Sequence, residues 1–98
     1  MPKAYLIAQI DVHDAEAYKG YTAHTPGIAA KHGGKFIVRG GKMNTLEGEE
    51  APGRTIVVEF PSWDDAEGFY NDPEYQKIIG IRWANATSRS IIVEGADL

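Results

Sequence analysis

Cysteine is absent from the 98-residue sequence, which excludes a disulfide framework and a thiol nucleophile. Stability and chemistry must come from other side chains. Positive charge is scarce as well: ten Lys and Arg stand against fourteen Asp and Glu, a net charge of -4. No basic run exists that would neutralise a row of phosphates, so nucleic acid is not an expected partner. Long apolar runs are missing too. The opening stretch Tyr5-Leu6-Ile7-Ala8 turns polar at Gln9 and Asp11, too soon for a signal-peptide core or a membrane span. No membrane contact is expected, and a cytoplasmic location is the default. Only three imidazoles occur, His13, His24 and His32, eleven and eight residues apart. Those spacings do not share a helical face, and no metal site is expected.

What is present suits a folded chain: 43% of the residues are apolar and 24% charged, the ordinary balance of a globular protein. The length provides one domain over residues 1–98 and no second core. Folding at this size buries about 64% of the area of the extended chain, a marginal monomer that association would help.

Hydrophobic periodicity divides the chain into elements. From Tyr5 to Val12 the pattern alternates and predicts a strand. Asp14 is an N-cap candidate for a helix in which Ala17, Tyr18, Tyr21, Thr25, Ile28, Ala29 and His32 recur at helical spacing, with a kink or interruption expected at Pro26 and a stop at Gly33-Gly34. Phe36–Arg39 predicts a second strand, residues 43–53 a polar hairpin arm with an acidic tip at Glu49-Glu50, and Arg54–Phe60 a third strand. Ser62, with Asp65 three positions on, predicts a capped short helix through Phe69 and Tyr70. Asp72 followed by Pro73 predicts a second helix start, running through Ile78, Ile79, Arg82 and Ala86. Ser90–Glu94 is the last strand. The glycine pairs Gly33-Gly34 and Gly40-Gly41 lack the spacing of a nucleotide loop and read as backbone punctuation.

The order βαββαβ in so short a chain predicts an α+β, ferredoxin-like sandwich: a four-stranded antiparallel sheet with its helices on one face. Strand parity sets Leu6, Ala8, Ile10, Phe36, Val38, Ile56, Val58, Phe60, Ile91 and Val93 against the helices. It leaves Tyr5, Ile7, Ile37, Val57 and Ile92 on the other face. That second apolar face needs a cover, and a partner's sheet supplies one, so a homodimer enclosing a cavity is expected.

The strings Arg39-Gly40-Gly41, Leu46-Glu47-Gly48, Glu59-Phe60-Pro61-Ser62, Tyr70-Asn71-Asp72-Pro73-Glu74-Tyr75 and Glu94-Gly95 together resemble an uncharacterised bacterial family, the domain of unknown function numbered thirteen-thirty. The likeness spans nearly the whole chain; Asn71 stands where Ser is expected. The resemblance implies the dimeric α+β barrel superfamily, which includes cofactor-independent monooxygenases, isomerases and decarboxylases of small molecules, and proteins without known activity. A shared barrel does not select among these chemistries.

For chemistry, parity places Arg39 and Glu59 together on the face away from the helices, inside the expected dimer cavity. There Glu59 would be a general base and Arg39 the holder of an anionic or enolate oxygen. The competing reading is an interfacial ion pair that sets dimer register. Arg82 falls on the apolar stripe of the last helix, a poor place for a charge unless a carboxylate meets it, and Glu59 or Glu47 is the expected partner. His24, flanking the Tyr18 and Tyr21 stripe, is a candidate for proton transfer, though helix histidines are more often inert. Tyr5, Tyr18 and Tyr21 are candidate ligand-binding residues, because hydroxyl-bearing rings suit a cavity for a small, partly apolar molecule, and Arg82 is one as an anion holder, second to its salt-bridge reading.

Two functional readings follow. One is a small-molecule-binding homodimer, a cofactor-free enzyme acting by proton transfer on an oxygenated or aromatic metabolite. The other is a non-catalytic binding or protein-interaction module whose charges tie its subunits together.

Overall fold

The computed structural model describes residues 2–96. Strand β1, Ala4–Val12, buries every second side chain from Ala4 to Ile10, as alternation requires. Helix α1, Ala15–Thr22, starts where the Asp14 carboxylate accepts the Ala17 N–H at 3.1 Å, satisfying one of the free donors of the first turn. The interruption expected at Pro26 is present: α1 stops at Thr22, and α2, Thr25–Lys31, restarts with Pro26 in its first turn, where a missing N–H costs no hydrogen bond. Strand β2 is Lys35–Arg39, followed by an exposed connection and then β3, Arg54–Phe60.

Ser62 caps α3, Trp63–Tyr70, by accepting the Asp65 N–H at 3.2 Å. Asp72 caps α4, Pro73–Asn85, by accepting the Glu74 N–H at 2.8 Å. Strand β4, Ala86–Glu94, follows α4 without a loop and so begins before the expected Ser90.

The sheet has the order β2-β3-β1-β4 with antiparallel neighbours throughout. All four helices lie on one face and close a core over Leu6, Ala8, Ile10, Ile56, Val58 and Phe60. From α1, Tyr18 and Tyr21 anchor on that core, and Phe69 and Tyr75 join them from α3 and α4. The Cα envelope is only 16 Å thick. That depth holds one sheet layer and one helix layer, at about 10 Å between packed layers, so the second sheet face is bare. No helix among the described residues is long and apolar enough to cross a membrane.

Two face assignments differ from the parity reading. In β4, Ile92 pairs with Leu6 and therefore faces the helices, while Ile91 and Val93 are exposed on the open face with Tyr5 and Ile7. In β2 a bulge between Phe36 and Val38 shifts the register: Phe36 stays opposite Val58, but Val38 pairs with Val57 on the open face and Arg39 pairs with Ile56 on the helix face. One inserted residue reverses the side of everything that follows it.

Candidate functional site

The bulge decides where the charges sit. Arg39 lies on the helix side, its guanidinium carbon 4.6 Å from the centre of the Phe36 ring. Glu59 lies on the open face, directly opposite Tyr5 in the β1–β3 register. There it accepts hydrogen bonds from the Tyr5 hydroxyl and the Lys3 ammonium, each at 3.3 Å. Arg39 and Glu59 are thus on opposite faces of the sheet and cannot act on one molecule within a protomer. Tyr5 goes with Glu59, away from Tyr18 and Tyr21.

The helix side holds a cavity of about 380 Å³ between the sheet and α1, α2 and the aromatic residues of α3 and α4. That volume suits a small organic molecule. Its floor is apolar, from Leu6, Ala8, Ile10, Ile56 and Val58. Tyr18, Tyr21, Phe69 and Tyr75 form an aromatic wall, and Thr22, Thr25, Arg39 and Arg54 bring polar groups. A shallower groove of about 400 Å³ adjoins it and shares Ile10, Tyr18, Thr22 and Arg54. Both arginines are exposed at the cavity's edge. Among the described residues the lining includes two guanidinium groups and no carboxylate.

The tyrosines are buried and linked. The Tyr21 and Tyr75 hydroxyls are 2.6 Å apart, and the Tyr18 ring packs on Tyr21 at 5.1 Å between centres. Burial raises the pKa of all three hydroxyls, Tyr21 most strongly, against the opposing pull of the Arg82 guanidinium. At neutral pH they are protonated hydrogen-bond donors, not bases.

Arg82 is 4% exposed, and neither Glu59 nor Glu47 meets it. Its Nη1 donates to Ser88 Oγ at 2.9 Å and Ser90 Oγ at 3.2 Å, and its guanidinium carbon lies 5.9 Å from the Tyr21 ring centre. Its Nε is buried without a partner, and no carboxylate pairs with it among the described residues. The expected ion pair fails because Glu59 points away from the helices and Glu47 sits in the exposed connection. His24 is exposed at the N-terminus of α2, makes no side-chain cap bond, and does not line the cavity, although its neighbours Thr25 and Pro26 do.

Arg54 was not singled out for chemistry on sequence. Arg54 shares the parity of Ile56 and Val58, which was the available signal. No cluster of three or more His, Asp or Glu suited to a metal occurs among the described residues.

The family model of the domain of unknown function DUF1330 matches residues 3–96. The chain belongs to this family. No curated protein matches it. Among solved structures, a protein of unknown function from Rhodopseudomonas palustris is similar at a TM-score of 0.79 and 21% identity, over 99% of this chain and 85% of the other. A dimeric ferredoxin-like protein of unknown function from Jannaschia is similar at 0.71 and 15%, over 94% and 98%. A variant of SnoaB, a cofactor-independent oxygenase from Streptomyces nogalater, is similar at 0.68 and 17%, over 100% and 96%. At these identities the structural likeness speaks for the ferredoxin-like fold alone.

Proposed function

We propose that this DUF1330 chain is a homodimeric small-molecule-binding protein, and that its helix-side cavity is a cofactor-free site for proton transfer on a small aromatic or enolisable metabolite bearing an anionic oxygen. The carrying observation is the cavity's composition: apolar floor, aromatic wall, Arg39 and Arg54 at the edge, and no lining carboxylate among the described residues. Apolar walls take up a flat, partly hydrophobic body, while two unneutralised guanidinium groups select an anion. The fold shared with an oxygenase that needs no cofactor supports chemistry carried by the substrate and side chains alone.

Pairing through the open sheet face accords with dimeric neighbours of the same fold. It also gives Glu59 a different role. Its bonds to Lys3 and Tyr5 fix the charge pattern of that face, which favours the dimer-register reading of this residue over a catalytic one.

The test is a thermal-shift screen of aromatic carboxylates and phenolates against neutral isosteres of the same shape. A ligand held in the native state raises the melting point by mass action. Anionic members should stabilise the protein and their neutral isosteres should not. The double substitution Arg39→Ala/Arg54→Ala should weaken binding at least about 30-fold, on the order of 2 kcal/mol for lost charge-assisted hydrogen bonds. Glu59→Gln should leave binding intact and lower the dimer's stability. Equal stabilisation by neutral isosteres, or lost binding in Glu59→Gln, would overturn this assignment.

A further inference from the structure

Among the described residues Arg82 is the one buried charge, the cavity's lining does not explain it, and its surroundings are incomplete. A guanidinium removed from water needs an anion or a full set of acceptors, and either deficit is expensive. Here two neutral hydroxyls meet one nitrogen, and Nε has no partner. A purely structural arginine would be expected to find a carboxylate. This one instead lies against the tyrosine cluster, behind Tyr21 and Tyr75 as seen from the cavity: those two line it and Arg82 does not.

We infer that Tyr21 and Tyr75 form a hydrogen-bond-donating pair for an enolate or phenolate oxygen in the cavity, and that Arg82, behind them, is the positioning residue whose charge supports that oxyanion. This rests on the cavity reading above and names the chemical class of its substrate. In that pose one hydroxyl donates to the ligand oxygen and the other, 2.6 Å away, donates to the first, so the negative charge stays on the ligand and no tyrosine O–H bond breaks.

Two features support that role. The hydroxyl separation is at the short end for O–H···O bonds, where a neighbouring charge strengthens the interaction. The buried guanidinium stands where a low dielectric makes its field effective over several ångströms. Burial holds both hydroxyls protonated even against the pull of Arg82, so both are available as donors.

The inference can be checked first without any ligand. The short, buried hydroxyl bond between Tyr21 and Tyr75 should give a low-field, slowly exchanging proton signal in the NMR spectrum, which Tyr75→Phe should remove, Arg82→Met should shift and Arg82→Lys should keep near its wild-type position. Superimposable spectra of wild type and Arg82→Met would overturn the inference. Should Arg82→Met not fold, Arg82→Gln, which keeps a donor for the serines, carries the same comparison.

The second arm uses 4-nitrophenol as a coloured probe. Bound to the wild type, it should ionise at lower pH than in free solution, and Arg82→Met should reduce that shift while Arg82→Lys largely keeps it. A bound probe whose ionisation ignores Arg82 contradicts the inference. A probe that fails to bind, in a protein whose tyrosines still respond to Arg82, contradicts the cavity reading instead and leaves the coupled tyrosine pair standing.

Discussion

At the level of single residues, the caps were legible and the charges were not. Asp14, Ser62 and Asp72 each precede a helical period by one position, and each caps the helix it announces. Asp72 does more than cap: its carboxylate also meets His32 at 2.8 Å and Lys31 at 3.2 Å, tying the end of α2 to the start of α4. The His32 hydrogen bond, then the Glu74 N–H and Lys31, hold its pKa down at about 2, against 3.8 ordinarily. A carboxyl depressed in the folded state contributes stability above the unfolded value and loses it as pH falls through the folded value. The melting point should therefore drop between pH 3.8 and about 2. Asp72→Asn keeps an N-cap oxygen and should flatten that part of the profile, measurable by calorimetry on both proteins. An equally steep fall in the variant would assign the acid sensitivity to other carboxyls. Arg39, Glu59 and Arg82 were found as residues that needed explaining, yet their partners depend on which face each occupies. That information belongs to the next scale.

Among the elements, type and order were readable because each strand and helix carries its own period, whereas facing was readable only where the alternation is unbroken. β1 and β3 alternate cleanly, and their faces follow. In β4 the run Ile91-Ile92-Val93 is apolar on both sides and leaves parity undefined until pairing with β1 sets it. In β2 the bulge leaves no trace in residue type, and it alone moves Arg39 to the cavity. The helix-side cavity was missed for the same reason, since Thr22, Thr25, Arg39 and Arg54 come from four separate segments. The start of β3 shows how local chemistry holds such geometry. Gly53 has a φ of +58° and lies so close to the Ile10 carbonyl of β1 that a Cβ would collide with it. Gly53→Ala should destabilise the fold by about 2 kcal/mol, combining the left-handed backbone cost with a backbone shift. Denaturant melts would show it as a lower midpoint at unchanged slope. Because Arg54 follows Gly53 directly and lines the cavity, the same change should also weaken ligand binding, while Gly41→Ala, with open space around it, should alter neither.

For the whole molecule, the open sheet face is the feature the rest of the fold does not account for. Tyr5, Ile7, Val57, Ile91 and Val93 lie side by side there, Ile7 directly opposite both Val57 and Ile91 across the two central pairings. Ile91 is 57% exposed in the isolated protomer. Burying such a face against a second copy gains about 25 cal/mol per Å² of apolar surface, and a standard interface of about 800 Å² per partner suits a sheet of this size. Charge around its rim supports register: the Glu59 cluster stands toward one end of β1, and Arg89, donating to Gln9 at 2.6 Å, toward the other. A charge placed at the centre has no such partner. Ile7→Glu should leave the helix-side core untouched, because Ile7 points away from it, and should weaken self-association at least about 100-fold, on the order of 3 kcal/mol for an uncompensated buried carboxylate. Sedimentation at micromolar concentration should then show a 10.7 kDa species where the wild type shows twice that mass, with far-ultraviolet circular dichroism of the variant unchanged. A variant that still sediments as a dimer would place the interface elsewhere, on the exposed connection bearing Leu46 or on the helix layer, and would free Glu59 and Tyr5 from the register role assigned to them.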